Sequence, residues 1–172
     1  MVSEAPRPVL GGADKLPEIF DGGIRYVLNA VGGISSLKTR IDIFQKLITA
    51  GFECPTVIHP RGYCEPSAQL SAGVQVFSNA YVGTTVKVGF GTIINTGSVV
   101  SHDCTIGGYT HISPGAILAG SVIVGEKSLV GMGATLNLGI KIGAGSRIGN
   151  GATVKADVPT GSIVRAGAIW PE

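Results

Sequence analysis

Side chains able to move a proton at neutral pH are scarce in this 172-residue chain, and the scarcity makes each one easy to weigh. His59 stands beside Pro60 and reads as structural. His102 and His111 share the segment VVSHDCTIGGYTHIS, and an imidazole there has the ordinary titration range of a general base. Asp103 follows His102 directly and is placed to orient it, although neighbours on an extended strand point to opposite sides. The same geometry argues against a covalent relay through Ser101, His102 and Asp103. A metal centre is not expected, because His102 and His111 are nine residues apart with no third ligand close in sequence. Cys54, Cys64 and Cys104 form no CxxC pair and read as small buried hydrophobes.

These residues are positioned by a repeat of six. From Ile58 to Val154 every sixth residue is apolar without one insertion, as in Val88, Ile94, Val100, Ile106 and Ile112. A second series of small or β-branched residues lies two positions earlier, for example Val86, Thr92, Ser98, Cys104 and Thr110. Glycine often follows the apolar position, where a left-handed or a crowded backbone would exclude a Cβ. One large and one small inward residue per six fits a short strand and a sharp corner. Three such sides close a triangular coil of 18 residues, stacked on the next at about 4.8 Å. A 3.6-residue helix would scatter the same apolar residues over all its faces. The expected fold is therefore mainly β, a parallel β-helix. Coil arithmetic then places Gly120 one coil beyond His102, which offers a slot beside the imidazole and a backbone N–H for an oxyanion.

Residues 1–55 read as a partial α/β substrate-type domain or a cap, and residues 56–172 carry the β-helix and its tail. Within the cap, Gly23 to Val31 reads as a buried strand and Gly32-Gly33 as a turn. Ser35 or Ser36 then caps a helix running to about Ala50, with Leu37, Ile41, Phe44, Leu47 and Ile48 on its inner face and Gly51 as its stop. The cap covers one open end of the solenoid and the tail from Asp157, with Trp170, the other.

A net charge of +2 without a Lys/Arg cluster gives no footprint for nucleic acid, and no apolar run is long enough to span a bilayer. The start lacks a signal-peptide layout, so the reading is cytoplasmic.

Three segments, IINTGSVVSHDCTIGGYTHISPGAILAGSVIVG, GMGATLNLGIKIGAGSRIGNGATV and TVIHPRGYCEPSA, resemble the sialic acid O-acetyltransferase and nucleotide-amino-sugar N-acetyltransferase family of left-handed β-helix enzymes. The likeness extends over nearly the whole chain. It implies a homotrimer that moves an acetyl group from acetyl-CoA to an amino or hydroxyl group of a nucleotide-linked sugar, without metal. It also implies that His102 is the general base and Asp103 its acidic partner, where relatives more often carry Glu. Asn95 and His111 match residues lining the same site, with His111 near the thioester carbonyl. Gly120 matches the amide facing the acetyl group, and Met132 with Gly149, Asn150 and Gly151 match positions along the CoA arm. Relatives open with a strand and a GxGGHG-type loop that grips the nucleotide; this chain starts after that unit, so weak nucleotide-sugar binding is expected. Transfer to a small alcohol or amino acid, as in serine acetyltransferases, and a non-catalytic solenoid remnant are the alternatives.

Overall fold

A computed structural model describes residues 8–33 and 37–171. Nineteen two-residue strands form three parallel sheets. Sheet I contains Val57–Ile58, Gln75–Val76, Ile93–Ile94, His111–Ile112, Leu129–Val130, Arg147–Ile148 and Ile163–Val164. Sheet II contains Tyr63–Cys64, Tyr81–Val82, Val99–Val100, Ile117–Leu118, Thr135–Leu136, Thr153–Val154 and Ile169–Trp170. Sheet III contains Gln69–Leu70, Lys87–Val88, Thr105–Ile106, Ile123–Val124 and Lys141–Ile142. Register partners are 18 residues apart, as in His111↔Leu129 and Val100↔Leu118, so the expected coil is the observed one.

The second residue of each strand points inward. Val76, Ile94, Ile112, Val130 and Ile148 stack along sheet I, each at most 2% exposed. Alternating with them are Thr92, Thr110, Ser128 and Ser146, whose hydroxyls are buried but satisfied, Thr110 donating to the Gly125 carbonyl and Ser128 to that of Gly143. Each buried Val or Ile contributes roughly 1.5–3 kcal/mol through removal from water, and the ladder repeats that gain at every coil.

Of the two explanations for the glycines after the apolar positions, crowding is the one that holds. A Cβ on Gly107 would lie 2.4 Å from the Glu126 nitrogen of the next coil. The left-handed backbone falls elsewhere in the six-residue unit, at positions that include Thr85, Asp103 and Ser121 as well as glycines.

Three expectations need correction. The tail does not merely cover the end: Ile163–Val164 and Ile169–Trp170 add to sheets I and II in a register shortened to 16 residues, with Trp170 set against Val154. Gly23 to Val31 is not a buried strand. Tyr26 makes one isolated parallel bridge to Glu53, and Ile24, Tyr26 and Leu28 are exposed, because only one edge and one face of the segment meet a neighbour among the described residues. The helix α2, Leu37–Thr49, buries Phe44 and Leu47 as expected, but Ile48 is half exposed and the buried polar residue is Arg40. Ser35 and Ser36 lie outside the described residues. A further short helix, α1 at Leu16–Asp21, packs Phe20 edge-on against Phe52. Cys54 and Cys104 are buried and Cys64 is half-buried; all three are free thiols.

Arg40 fixes the cap to the solenoid. Its Nε and one terminal nitrogen each donate to the Gly91 carbonyl at 3.3 Å, and the other donates to the Asn29 and Val31 carbonyls. Asn29 returns a bond to the Arg40 carbonyl, and the guanidinium lies 4.9 Å from the Phe44 ring centre. Burial lowers the Arg40 pKa to about 10, so the cation persists at neutral pH. Helical spacing from Phe44 and Leu47 puts position 40 on the buried face. Of the carbonyls that satisfy the guanidinium there, two come from the preceding segment of the cap and one from a solenoid corner 51 residues away.

Candidate active site

His102 and Asp103 form the corner between sheets II and III. The left-handed backbone at Asp103 (φ 60°), which aspartate tolerates better than most residues, turns its carboxylate back toward the preceding side chain. His102 Nδ1 and Asp103 Oδ2 are 2.8 Å apart. The objection that adjacent strand residues point apart fails here because these two residues are in a turn. Thr85, stacked 18 residues earlier, donates its hydroxyl to the other carboxylate oxygen. That hydrogen bond, followed by the one from His102, lowers the Asp103 pKa below the usual carboxylate value. An ionised carboxylate can only accept, so Nδ1 carries the proton and Nε2 presents a lone pair. Both side chains are more than half exposed, and the Ser101 side chain makes no hydrogen bond to the pair among the described residues.

Gly120 lies against the imidazole. A Cβ there would sit 2.5 Å from His102 Cε1 and 2.6 Å from Nε2. The Gly120 N–H has no acceptor among the described residues, whereas the N–H of Ala119 bonds to Leu136 and that of Ser121 to the His102 carbonyl. The N–H at this corner position also lacks an acceptor at other corners; the bare Cα under His102 is what marks this one. Gly120→Ala is therefore expected to push the imidazole off its seat and reduce turnover by about 10²-fold while the melting temperature moves little. Steady-state kinetics beside a thermal melt checks this.

The other expected site residues gather on a different edge. Asn95, Met132 and the Gly149-Asn150-Gly151 turn line the corner between sheets I and II, Met132 two coils beyond Asn95 and the turn one coil further. Asn150 Oδ1 accepts the Met132 N–H at 2.9 Å, which leaves the Met132 side chain about half exposed. His111 lies beside them on the outer face of sheet I. Its place in the repeat turns the side chain away from the solenoid core, yet His111 is 2% exposed because the cap crosses it. Asn95 Oδ1 accepts the Thr96 N–H, so its amide nitrogen faces His111 Nε2 at 3.1 Å and donates to it. The His111 proton then resides on Nδ1, which is buried against Gly33 without a partner among the described residues. Burial, reinforced by the Arg40 charge, pushes the His111 pKa down to about 4.

That shift has a definite sign in stability. Above about pH 6.5 His111 is neutral whether folded or unfolded; below it the unfolded chain takes a proton that the folded chain refuses until about pH 4. Stability is expected to fall over that window by on the order of 2–3 kcal/mol. Urea titrations at pH 7.5 and 4.5 should show the loss in this protein and a smaller one in His111→Gln.

Sequence reasoning missed Thr85 and Arg40. Thr85 was accessible by the same 18-residue arithmetic that found Gly120. Arg40 was not.

Among the described residues no group of three His, Cys, Asp or Glu side chains could hold a metal ion, and no helix is long and apolar enough to cross a membrane.

No model of a known protein family matches the chain. Solved structures do. PerB from Caulobacter crescentus, solved with CoA and GDP-perosamine, is 34% identical with a TM-score of 0.88 over 93% of this chain and 76% of its own. The acetyltransferase domain of PglB from Neisseria gonorrhoeae FA1090, solved with acetyl coenzyme A, is 32% identical with a TM-score of 0.88 over 96% and 79%. This chain belongs to the hexapeptide-repeat β-helix acyltransferases. WeeI from Acinetobacter baumannii AYE aligns at 25% identity over 84% of this chain and 69% of its own, with a TM-score of 0.78. Within this acyltransferase family, the Caulobacter enzyme is a GDP-perosamine N-acetyltransferase and has also been solved with a histidine replaced by alanine.

Proposed function

We propose that this acyltransferase moves the acetyl group of acetyl-CoA directly onto the amino group of a nucleotide-linked amino sugar, with His102 as general base. The observation that carries the reading is the His102–Asp103–Thr85 chain on Gly120, which leaves one exposed lone pair at Nε2 beside a backbone without a side chain. The amino group attacks the thioester carbon as the free amine, and His102 Nε2 takes its proton as the N–C bond forms; the C–S bond then breaks and the sulfur takes that proton from His102, so CoA leaves as thiol. The Gly120 N–H is available to the carbonyl oxygen as negative charge develops on it. Acetyl-CoA as donor and an amino sugar as acceptor follow the chemistry of the Caulobacter relative and, for the donor, the ligand of the Neisseria domain. A thiol-release assay with acetyl-CoA against free and nucleotide-linked amino sugars tests it. Release with a linked sugar supports the reading, and silence across the panel with acetyl-CoA still bound contradicts it.

The site is shared between chains in this reading. His102, Asp103 and Gly120 line the edge between sheets II and III, whereas Asn95, Met132 and Asn150 line that between sheets I and II, on the other side of sheet II. One side of a coil is six residues, at most about 20 Å, so one thioester cannot meet both edges of a single prism. In a threefold assembly the first edge of one chain meets the second edge of the next. The outer face of sheet II suits that contact: Tyr63, Tyr81, Val99, Ile117, Thr135, Thr153 and Ile169 are all uncharged, whereas sheet III presents Lys87 and Lys141. Light scattering is expected to give three chains per particle. A stable monomer would remove the shared site.

A further inference from the structure

Cap and solenoid enclose a cavity of about 180 Å³ lined by Gly33, Leu37, Lys127, Leu129, Gly145 and Arg147. It is too small for a whole nucleotide, since pockets for drug-sized ligands start at about 300 Å³. The charged side chains that line it are both cations. Lys127 and Arg147 supply two side-chain charges; the Lys127 ammonium is 3.2 Å from the exposed Glu126 carboxylate. The 13-residue helix α2 begins at Leu37, on the cavity wall, with the positive end of its dipole there.

His111 adds an independent sign. Its ring is 2% exposed and walled by Gly33, Leu37 and Leu129, three of the six lining residues. With Nε2 accepting from Asn95, the proton is on Nδ1, and Nδ1 faces the bare Cα of Gly33 without a partner among the described residues: a Cβ on Gly33 would lie 2.9 Å from it. A buried donor left unsatisfied is costly, roughly 1–3 kcal/mol. An anion entering at Gly33 would relieve it and would meet both cations.

We infer that this cavity binds one phosphoryl group of the acceptor substrate, held by Lys127, Arg147 and the His111 Nδ1–H. The inference rests on the acyl-transfer reading for its choice of ligand. The acceptor, and not CoA, is the source because the cavity lies under the cap on the face of sheet I, while the CoA-arm residues Met132 and Asn150 line the corner beyond it. Phosphate binding to this crevice runs against the expectation of weak nucleotide-sugar binding.

The test uses the full chain and inorganic phosphate, followed by ³¹P line broadening at low ionic strength. The doubly substituted Lys127→Ala/Arg147→Ala protein is expected to bind phosphate at least tenfold more weakly, with an unchanged melt because both side chains are exposed. Lys87→Ala, a cation on sheet III, is expected to bind as the parent does. Equal binding by the double variant and the parent, or an equal loss in Lys87→Ala, overturns the proposal. A nucleoside diphosphate is expected to displace the phosphate while saturating acetyl-CoA does not; displacement by acetyl-CoA overturns the assignment to the acceptor. His102→Ala is expected to retain phosphate binding whatever its turnover, so failure of the anion site and failure of the acyl-transfer reading give different results.

Discussion

Replacing His102 by alanine is expected to lower turnover by about 10²-fold or more while acetyl-CoA binds with nearly unchanged affinity. The split follows from geometry. Nε2 is the one ring atom free to take a proton, because Nδ1 is held by Asp103 and Asp103 by Thr85. The residues proposed for the CoA arm, Met132 and Gly149 to Gly151, belong to another edge of the prism. The loss should therefore appear in the chemical step and not in donor affinity. Binding measured by calorimetry and turnover measured with saturating donor separate the two. A His102→Ala protein with near-native turnover would end the case for a general base at this position. The substitution leaves the fold intact, since the side chain is exposed and its backbone carbonyl still accepts the Ser121 N–H.

The second large effect is a recovery. His102→Ala and His111→Ala chains are each expected to be impaired alone, the first through the lost base and the second through a damaged acceptor crevice. Co-assembled at random in equal amounts, a closed trimer whose sites take His102 from one chain and His111 from the next has both intact in about a quarter of its sites. Activity should rise well above that of either parent. Co-expression with two affinity tags isolates mixed particles and makes the comparison direct. If mixed trimers form and activity stays at the parental average, the two histidines do not meet across an interface, and the division of the site between chains is wrong.

The coil was legible because its cause is repeated: an inward residue every six positions leaves no alternative register, and the 18-residue stacking of Val100 on Leu118 is the same arithmetic that put Gly120 beside His102. Thr85 obeys that arithmetic too and was overlooked only because hydroxyls are common. The cap was less legible for a physical reason. Its segments are stabilised by single long-range events, such as Arg40 reaching the Gly91 carbonyl and Tyr26 bridging Glu53, which leave no period in the sequence. The misreading of His111 has the same origin. Position within the repeat correctly turned its side chain outward from the solenoid, but nothing local announced that Gly33 and Leu37 would close over it. The orientation of Asp103 was lost through treating a corner as a strand. One left-handed residue decides it.

The most direct test of acyl transfer follows the acetyl group itself. Acetyl-CoA carrying an isotopic label in its acetyl carbons is incubated with the protein and a nucleotide-linked amino sugar, and the products are separated and weighed by mass spectrometry. The label is predicted on the sugar nitrogen, in amounts equal to the thiol released, and about a hundredfold or more slower to appear there when His102→Ala replaces the parent protein. Label recovered only as free acetate, or still on CoA after the donor is shown to bind, would contradict the account.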